Sequence, residues 1–177
     1  MTSDEKKKLY AALAAPFSEN CIQRTDAKTT GKGYSTSGIG YQFIVNRLNE
    51  VLGVGCFRAH RTMTIKEITR SNGRPAVECV CDLTLEIGSF VEGQWVMIGE
   101  SLADGSHQSA TEGDARKGAY TNAFKKAAAF FGVGRQAYEG TLDDDNVPAE
   151  ATSIGHPVMT VVRAPEGGDA ARRGGGS

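Results

Sequence analysis

The sequence predicts an α+β domain: an antiparallel three-stranded β-meander packed against one long C-terminal helix, a β-β-β-α core with N-terminal helices before it. Three observations carry this. Residues 57–69 and 77–87 alternate apolar and polar side chains at the period of a half-buried strand, and a third strand is expected over 94–100 after the turn at 88–93. Asn72-Gly73, between the first two runs, is the pair that tight hairpin turns favour. Residues 111–131 then switch to helical spacing, and strands followed by a helix point to an α+β fold.

Ser3 is the expected N-cap of a first short helix, with Asp4 and Glu5 in the turn where carboxylates suit the helix dipole and Pro16 as its stop. Residues 18–38 are polar and glycine-rich, which predicts a loop carrying Arg24, Lys28 and Lys32. Within 39–52, Tyr41, Ile44, Val45, Leu48, Val51 and Leu52 recur every three or four residues, so a helix is expected there, ended by Gly53.

In the second strand Val77, Cys79, Cys81, Leu83, Leu85 and Ile87 share one side, whereas Glu78, Asp82, Thr84 and Glu86 share the other. One face is therefore core and the other wet. Gly88 to Gly93 is the expected turn into the third strand, Gln94–Glu100, and Asp104-Gly105 a further turn. The long helix follows over about 111–131, with Ser109 and Glu112 in capping-box spacing and Gly132 at its end.

The formal charge of the 177 residues is only -1, which by itself points away from nucleic acid. Divided at Tyr138, the chain looks different. Residues 1–138 hold 17 basic and 14 acidic residues, a charge of +3, and residues 139–177 hold 3 and 7, a charge of -4. The division 1–140 as a binding domain and 141–177 as an acidic Gly/Pro-rich tail, mostly disordered, follows from this shift. The run Val158-Met159-Thr160-Val161-Val162 stands out in the tail as a candidate edge strand or partner motif.

Several classes of function are excluded. No apolar run approaches the eighteen or so residues that span a bilayer. Cys21, Cys56, Cys79 and Cys81 contain no C-x-x-C pair and residues 1–8 are strongly polar, so a reducing, cytoplasmic setting is expected, associated with the nucleoid. A zinc site on Cys79 and Cys81 fits no structural spacing; buried thiols are the plainer reading. No G-x-x-x-x-G-K-[ST] loop is present, which argues against an ATP-driven strand-exchange enzyme. Glu78, Asp82 and Glu86 stand four residues apart, about 13 Å along a strand, too far for neighbours to share a two-metal nuclease site. No catalytic residue, metal or cofactor is expected.

The helix remains. Stepped at 100° per residue, Ala115, Ala119, Tyr120, Ala123, Phe124, Ala127, Phe130 and Phe131 fall in one half, the half that must pack on the sheet. The other half carries Lys117, Gly118, Thr121, Asn122 and Lys125, with Lys126 at its margin. Such a basic, small-residue face can follow a phosphate backbone, or be merely solvated. Arg116 sits mid-way round the apolar half, where it needs either a sheet carboxylate or a nucleic acid.

Taken together, residues 41–53 (Tyr-Gln-Phe-Ile-Val-Asn-Arg-Leu-Asn-Glu-Val-Leu-Gly), the Asn-Gly hairpin, and residues 113–132, with Ala-Arg-Lys, Phe-Lys-Lys-Ala and the following Phe-Phe-Gly, resemble the Rad fifty-two family of single-strand annealing proteins of DNA repair. Leu13–Phe17 and Phe131-Gly132-Val133-Gly134-Arg135 resemble its bacterial DdrA and phage branches. The resemblance covers about residues 10–140. It implies ATP-independent annealing of complementary strands in recombination and double-strand break repair, by rings or open multimers with a basic groove for single-stranded DNA. It further implies that Lys125 and Lys126 hold the backbone, with Arg116 and Lys117 one to two turns earlier. Where eukaryotic members carry a further Arg and an aromatic, this chain has Ala129 and Val54, so Arg47, Arg58, Arg61 or Arg135 would compensate. Single-stranded DNA, further copies of the chain and a single-strand binding protein are the expected partners. Alternatives are an end-protecting scaffold that binds strands without pairing them and, more weakly, a metal-dependent nuclease.

Overall fold

In the computed structural model, helix α1 (Ser3–Leu13) is capped by Thr2 rather than Ser3. The Thr2 hydroxyl accepts the Glu5 amide, and the Glu5 carboxylate accepts the Thr2 amide at 2.6 Å, a reciprocal capping box. The backbone bond from Thr2, with its hydroxyl, holds the Glu5 carboxyl below its usual range. The structure describes residues 1–26, 28 and 36–137; Lys32, the acidic tail and the run 158–162 lie outside the described residues.

The expected loop at 18–38 contains a hairpin instead. β1 (Ile22–Thr25) pairs antiparallel with β2 (Thr36–Ile39), Ile22 opposite Ile39. Four-residue strands are too short to show alternation, and Gln23-Arg24 reads as polar loop. Helix α2 (Tyr41–Leu52) follows at once, buries Ile44 and Leu48, and closes on Gly53 at φ 96°, a left-handed conformation glycine adopts without strain.

The meander is as expected: β3 (Phe57–Thr69), β4 (Pro75–Val91) and β5 (Gln94–Ser109) form one antiparallel sheet in the order β3-β4-β5. Two turn assignments are corrected. The β4–β5 turn is Glu92-Gly93, with φ 50° and 77° as a type I′ turn requires, and Gly88 lies buried inside β4 at a register shift. Trp95 crosses Gly88 so closely that a Cβ there would stand 2.6 Å from the indole. Asp104-Gly105 is not a turn either, since β5 runs straight through it with Gly105 opposite Cys81. What needs a glycine at 105 is the helix above it.

That helix, α3 (Glu112–Phe130), is capped by Thr111, whose hydroxyl accepts the Asp114 amide; Ser109 is the last residue of β5. At its other end Gly132, at φ 91°, lets its own amide reach the Ala129 carbonyl and the Val133 amide the Ala128 carbonyl, a Schellman closure. Ala115, Ala119, Ala123 and Ala127 are wholly buried and lie on β4 and β5 with Phe124 and Ala128. Cys79, Cys81, Leu83, Leu85 and Ile87 face them from the sheet as core side chains, and burial pushes the Cys81 thiol up.

The opposite sheet face has no layer over it among the described residues. It places Glu78, Asp82 and Glu86 beside Gln108, Asp104 and Glu100, so two cross-strand rungs, Asp82–Asp104 and Glu86–Glu100, pair like charges.

Candidate nucleic-acid interface

The basic residues are distributed by the way α3 sits on β5. Gly105 and Gly118 remove the side chains that would hold the two apart: a Cβ at 118 would meet the His107 ring at 2.3 Å. Asn122 then donates to the Ser106 carbonyl at 3.0 Å, so part of the expected outer half of the helix is engaged with the edge strand. Ala128, in the expected outer half, is also buried, while Phe130, expected to pack, stands 71% exposed. The wheel located the stripe of small residues but not the tilt that glycine contacts impose.

This seating turns the neighbouring lysines to opposite flanks. Lys125 reaches β2, its Nζ 3.4 Å from the Ile39 carbonyl oxygen and close to Gly38. Lys126 points over β5 and lies 3.9 Å from Asp104. The backbone-binding pair implied by the resemblance is therefore divided between two surfaces of one subunit.

On the first flank, beside β3 and α2, stand Arg61, Arg116, Tyr120, Tyr41 and Lys125. Arg61 shares the helix-facing side of β3 with Phe57, Ala59, Met63 and Ile65, and its guanidinium lies 4.8 Å from the centre of the Tyr120 ring. Arg116 is paired with Glu112, one turn back on its own helix at 2.6 Å, rather than with a sheet carboxylate, and its Nη1 reaches Met63 Sδ. Tyr120 packs edge-on to Tyr41, which packs edge-on to Phe124. Burial, and then the hydrogen bond with Tyr41, push the Tyr120 phenol up to about 12, so it stays neutral. Cations interleaved with rings are what a single strand requires: phosphates pair with the cations and bases stack on the rings. By spacing alone the two tyrosines are packing residues; the alternation of β3 from Phe57 is the signal that Arg61 joins them.

The second flank is an apolar groove of about 440 Å3 between β5 and the last turn of α3, with Leu102, Phe130 and Ala129 in it and Lys126 and Arg135 on it. Arg135 donates to the Tyr10 hydroxyl at 2.8 Å and lies over that ring.

The remaining candidates lie elsewhere. Lys117 is exposed in the first half of α3 with no ion pair among the described residues. Arg58 belongs to the outer sheet face, opposite Glu86, with its guanidinium 4.1 Å from the centre of the Trp95 ring. Arg47 is turned inward: it donates to the Ala15 carbonyl at 2.6 Å and the Leu13 carbonyl at 3.4 Å and covers Phe17, fastening α2 to the end of α1. Four of the eight candidate cations are thus stacked on aromatic rings. Such stacking holds a flat guanidinium at little entropic cost.

Among the described residues no group of three or more His, Cys, Asp or Glu side chains could hold a metal ion. No helix of the described residues is long and apolar enough to cross a membrane. The family model described as Rad52/22 family double-strand break repair protein matches residues 5–151. No curated protein matches the chain.

Proposed function

The chain belongs to the Rad52/22 family of double-strand break repair proteins, and from that premise we propose that it binds single-stranded DNA and anneals complementary strands without ATP. The observation that carries this reading is the first flank of α3, where Arg61, Arg116 and Lys125 alternate with Tyr120 and Tyr41. A strand lying along it would find phosphate partners on the cations and stacking surfaces on the rings. ATP independence is supported by the sequence, whose 177 residues hold no phosphate-binding loop of the G-x-x-x-x-G-K-[ST] type.

A charge of +3 over residues 1–138 is small for tight binding by one subunit. We therefore infer assembly into rings or open multimers, in which repeated flanks multiply weak contacts through avidity. Exposed Phe90, Val91, Val96 and Met97 around the β4–β5 hairpin support such assembly. The proposed site is Arg61, Arg116 and Lys125 along one surface, with Lys117 exposed on the first half of α3, Lys126, Arg135 and Arg58 brought in by neighbouring copies and Arg47 serving the fold.

The test is to mix the purified protein with complementary strands in the absence of ATP and follow duplex formation. Pairing well above the spontaneous rate is expected. Binding with no acceleration would overturn annealing and leave a strand-holding protein.

A further inference from the structure

The groove on the second flank is apolar where the surface around it is not. Leu102 and Phe130 are 67% and 71% exposed, more than any other large apolar side chain among the described residues except Val54. It runs along β5, an edge of the sheet with no strand beyond it among the described residues, and edge strands left uncovered invite a further strand. Two cations, Lys126 and Arg135, stand on it, and Lys126 lies 3.9 Å from Asp104.

The chain itself supplies a matching occupant. The described residues end at Ala137, in a 3-10 turn whose first residue, Arg135, lies on the groove. The following 40 residues, 138–177, contain one apolar β-branched run, Val158-Met159-Thr160-Val161-Val162, and before it the acidic residues Glu139, Asp143, Asp144, Asp145 and Glu150. The stretch 138–157 reaches up to about 65 Å when extended, ample to return to a groove at its own starting point. Both the apolar run and the charge sign suit this surface.

We propose that residues 158–162 of this chain dock in the groove between β5 and the end of α3, drawing Asp143, Asp144 and Asp145 over Lys126 and Arg135. The tail then competes with single-stranded DNA for these cations, so it tunes affinity rather than merely lowering net charge. The competition rests on the DNA-binding reading; the docking does not.

Hydrogen exchange of the full chain without DNA tests the docking. In Val158→Ser/Val161→Ser, amides 101–104 and 130–131 should exchange several-fold faster than in the wild type, and Phe130→Ser should produce the same change at 101–104. Equal exchange in wild type and tail variant overturns the proposal. So does protection that vanishes on dilution, which would assign the groove to a second copy. For the competition, Asp143→Asn/Asp144→Asn/Asp145→Asn in the full chain should bind an oligo-dT strand about threefold to tenfold more tightly at low salt, with the gain fading as salt rises. Unchanged affinity with altered exchange refutes the competition. Failure of every form to bind DNA would count against the functional reading, and the exchange comparison would still decide the docking.

Discussion

Gly105 of β5 lies directly under Ala123 of α3: a Cβ at 105 would stand 2.3 Å from the Ala123 amide nitrogen and 2.5 Å from the Ala119 carbonyl oxygen. Both obstacles are helix backbone and cannot rotate aside. Gly105→Ala should therefore destabilise the protein by about 2–3 kcal/mol or more, at the upper end of overpacking costs, read as a lower denaturation midpoint. Wild-type stability in that variant would show that helix and strand do not approach this closely.

Arg47 separates fold from function. Arg47→Ala removes two charge-assisted hydrogen bonds to the Leu13 and Ala15 carbonyls and the stack on Phe17, a loss of about 2–3 kcal/mol of stability. Strand affinity of the folded fraction should stay within about twofold. A large loss of affinity at full stability would instead place Arg47 on the DNA.

Arg61 and Lys125 are expected to act on affinity. Arg61→Ala/Lys125→Ala should weaken single-strand binding at least tenfold and reduce the slope of log affinity against log salt by about 1.4, the value for two lost phosphate contacts. Lys125 also bonds the Ile39 carbonyl, so Lys125→Gln, which retains a donor, serves as the control for local packing. An unchanged slope would remove the first flank from the binding surface.

Tyr120 should be visible by titration. Its phenol ionises at about 12 when folded, against about 10 in an unfolded chain. The unfolded state thus loses its proton first as pH rises. The stabilisation from a neutral, buried Tyr120 is complete below about pH 10 and is lost as pH approaches 12. Absorbance at alkaline pH should show a late-titrating tyrosine that Tyr120→Phe abolishes.

The exposed apolar residues of the β4–β5 hairpin are expected to hold copies together. Phe90→Ser/Met97→Ser should shrink the multimer seen by native mass measurement, with stability changed by less than about 1 kcal/mol because both side chains are largely exposed in the single subunit. A multimer of unchanged size would assign its contacts elsewhere.

How far the fold was legible depended on the length of each pattern. β4, with five consecutive inward residues from Cys79 to Ile87, and α2, with its apolar spacing, could be read directly. β1 and β2 could not, because four residues give periodicity nothing to work on. Gly88 and Gly105 read as turn residues because sequence shows that a glycine is present without showing why; in the fold each admits a neighbour, Trp95 in one case and α3 in the other. The basic candidates were legible as a set. The outer position of Arg58 follows from the alternation of β3, but the separation of Lys125 from Lys126 depends on how α3 sits on β5, which no single residue encodes.

The like-charged rungs of the outer sheet face bear on symmetry. If two copies met through that face about a twofold axis, Asp82, Asp104, Glu86 and Glu100 of each would be brought against the same carboxylates of the other. An isologous dimer is disfavoured there, so an assembly that used this face would join it to an unlike patch, head to tail. Heterologous contacts of that kind do not stop at two: they close into a ring when the rotation allows and extend as a filament when it does not.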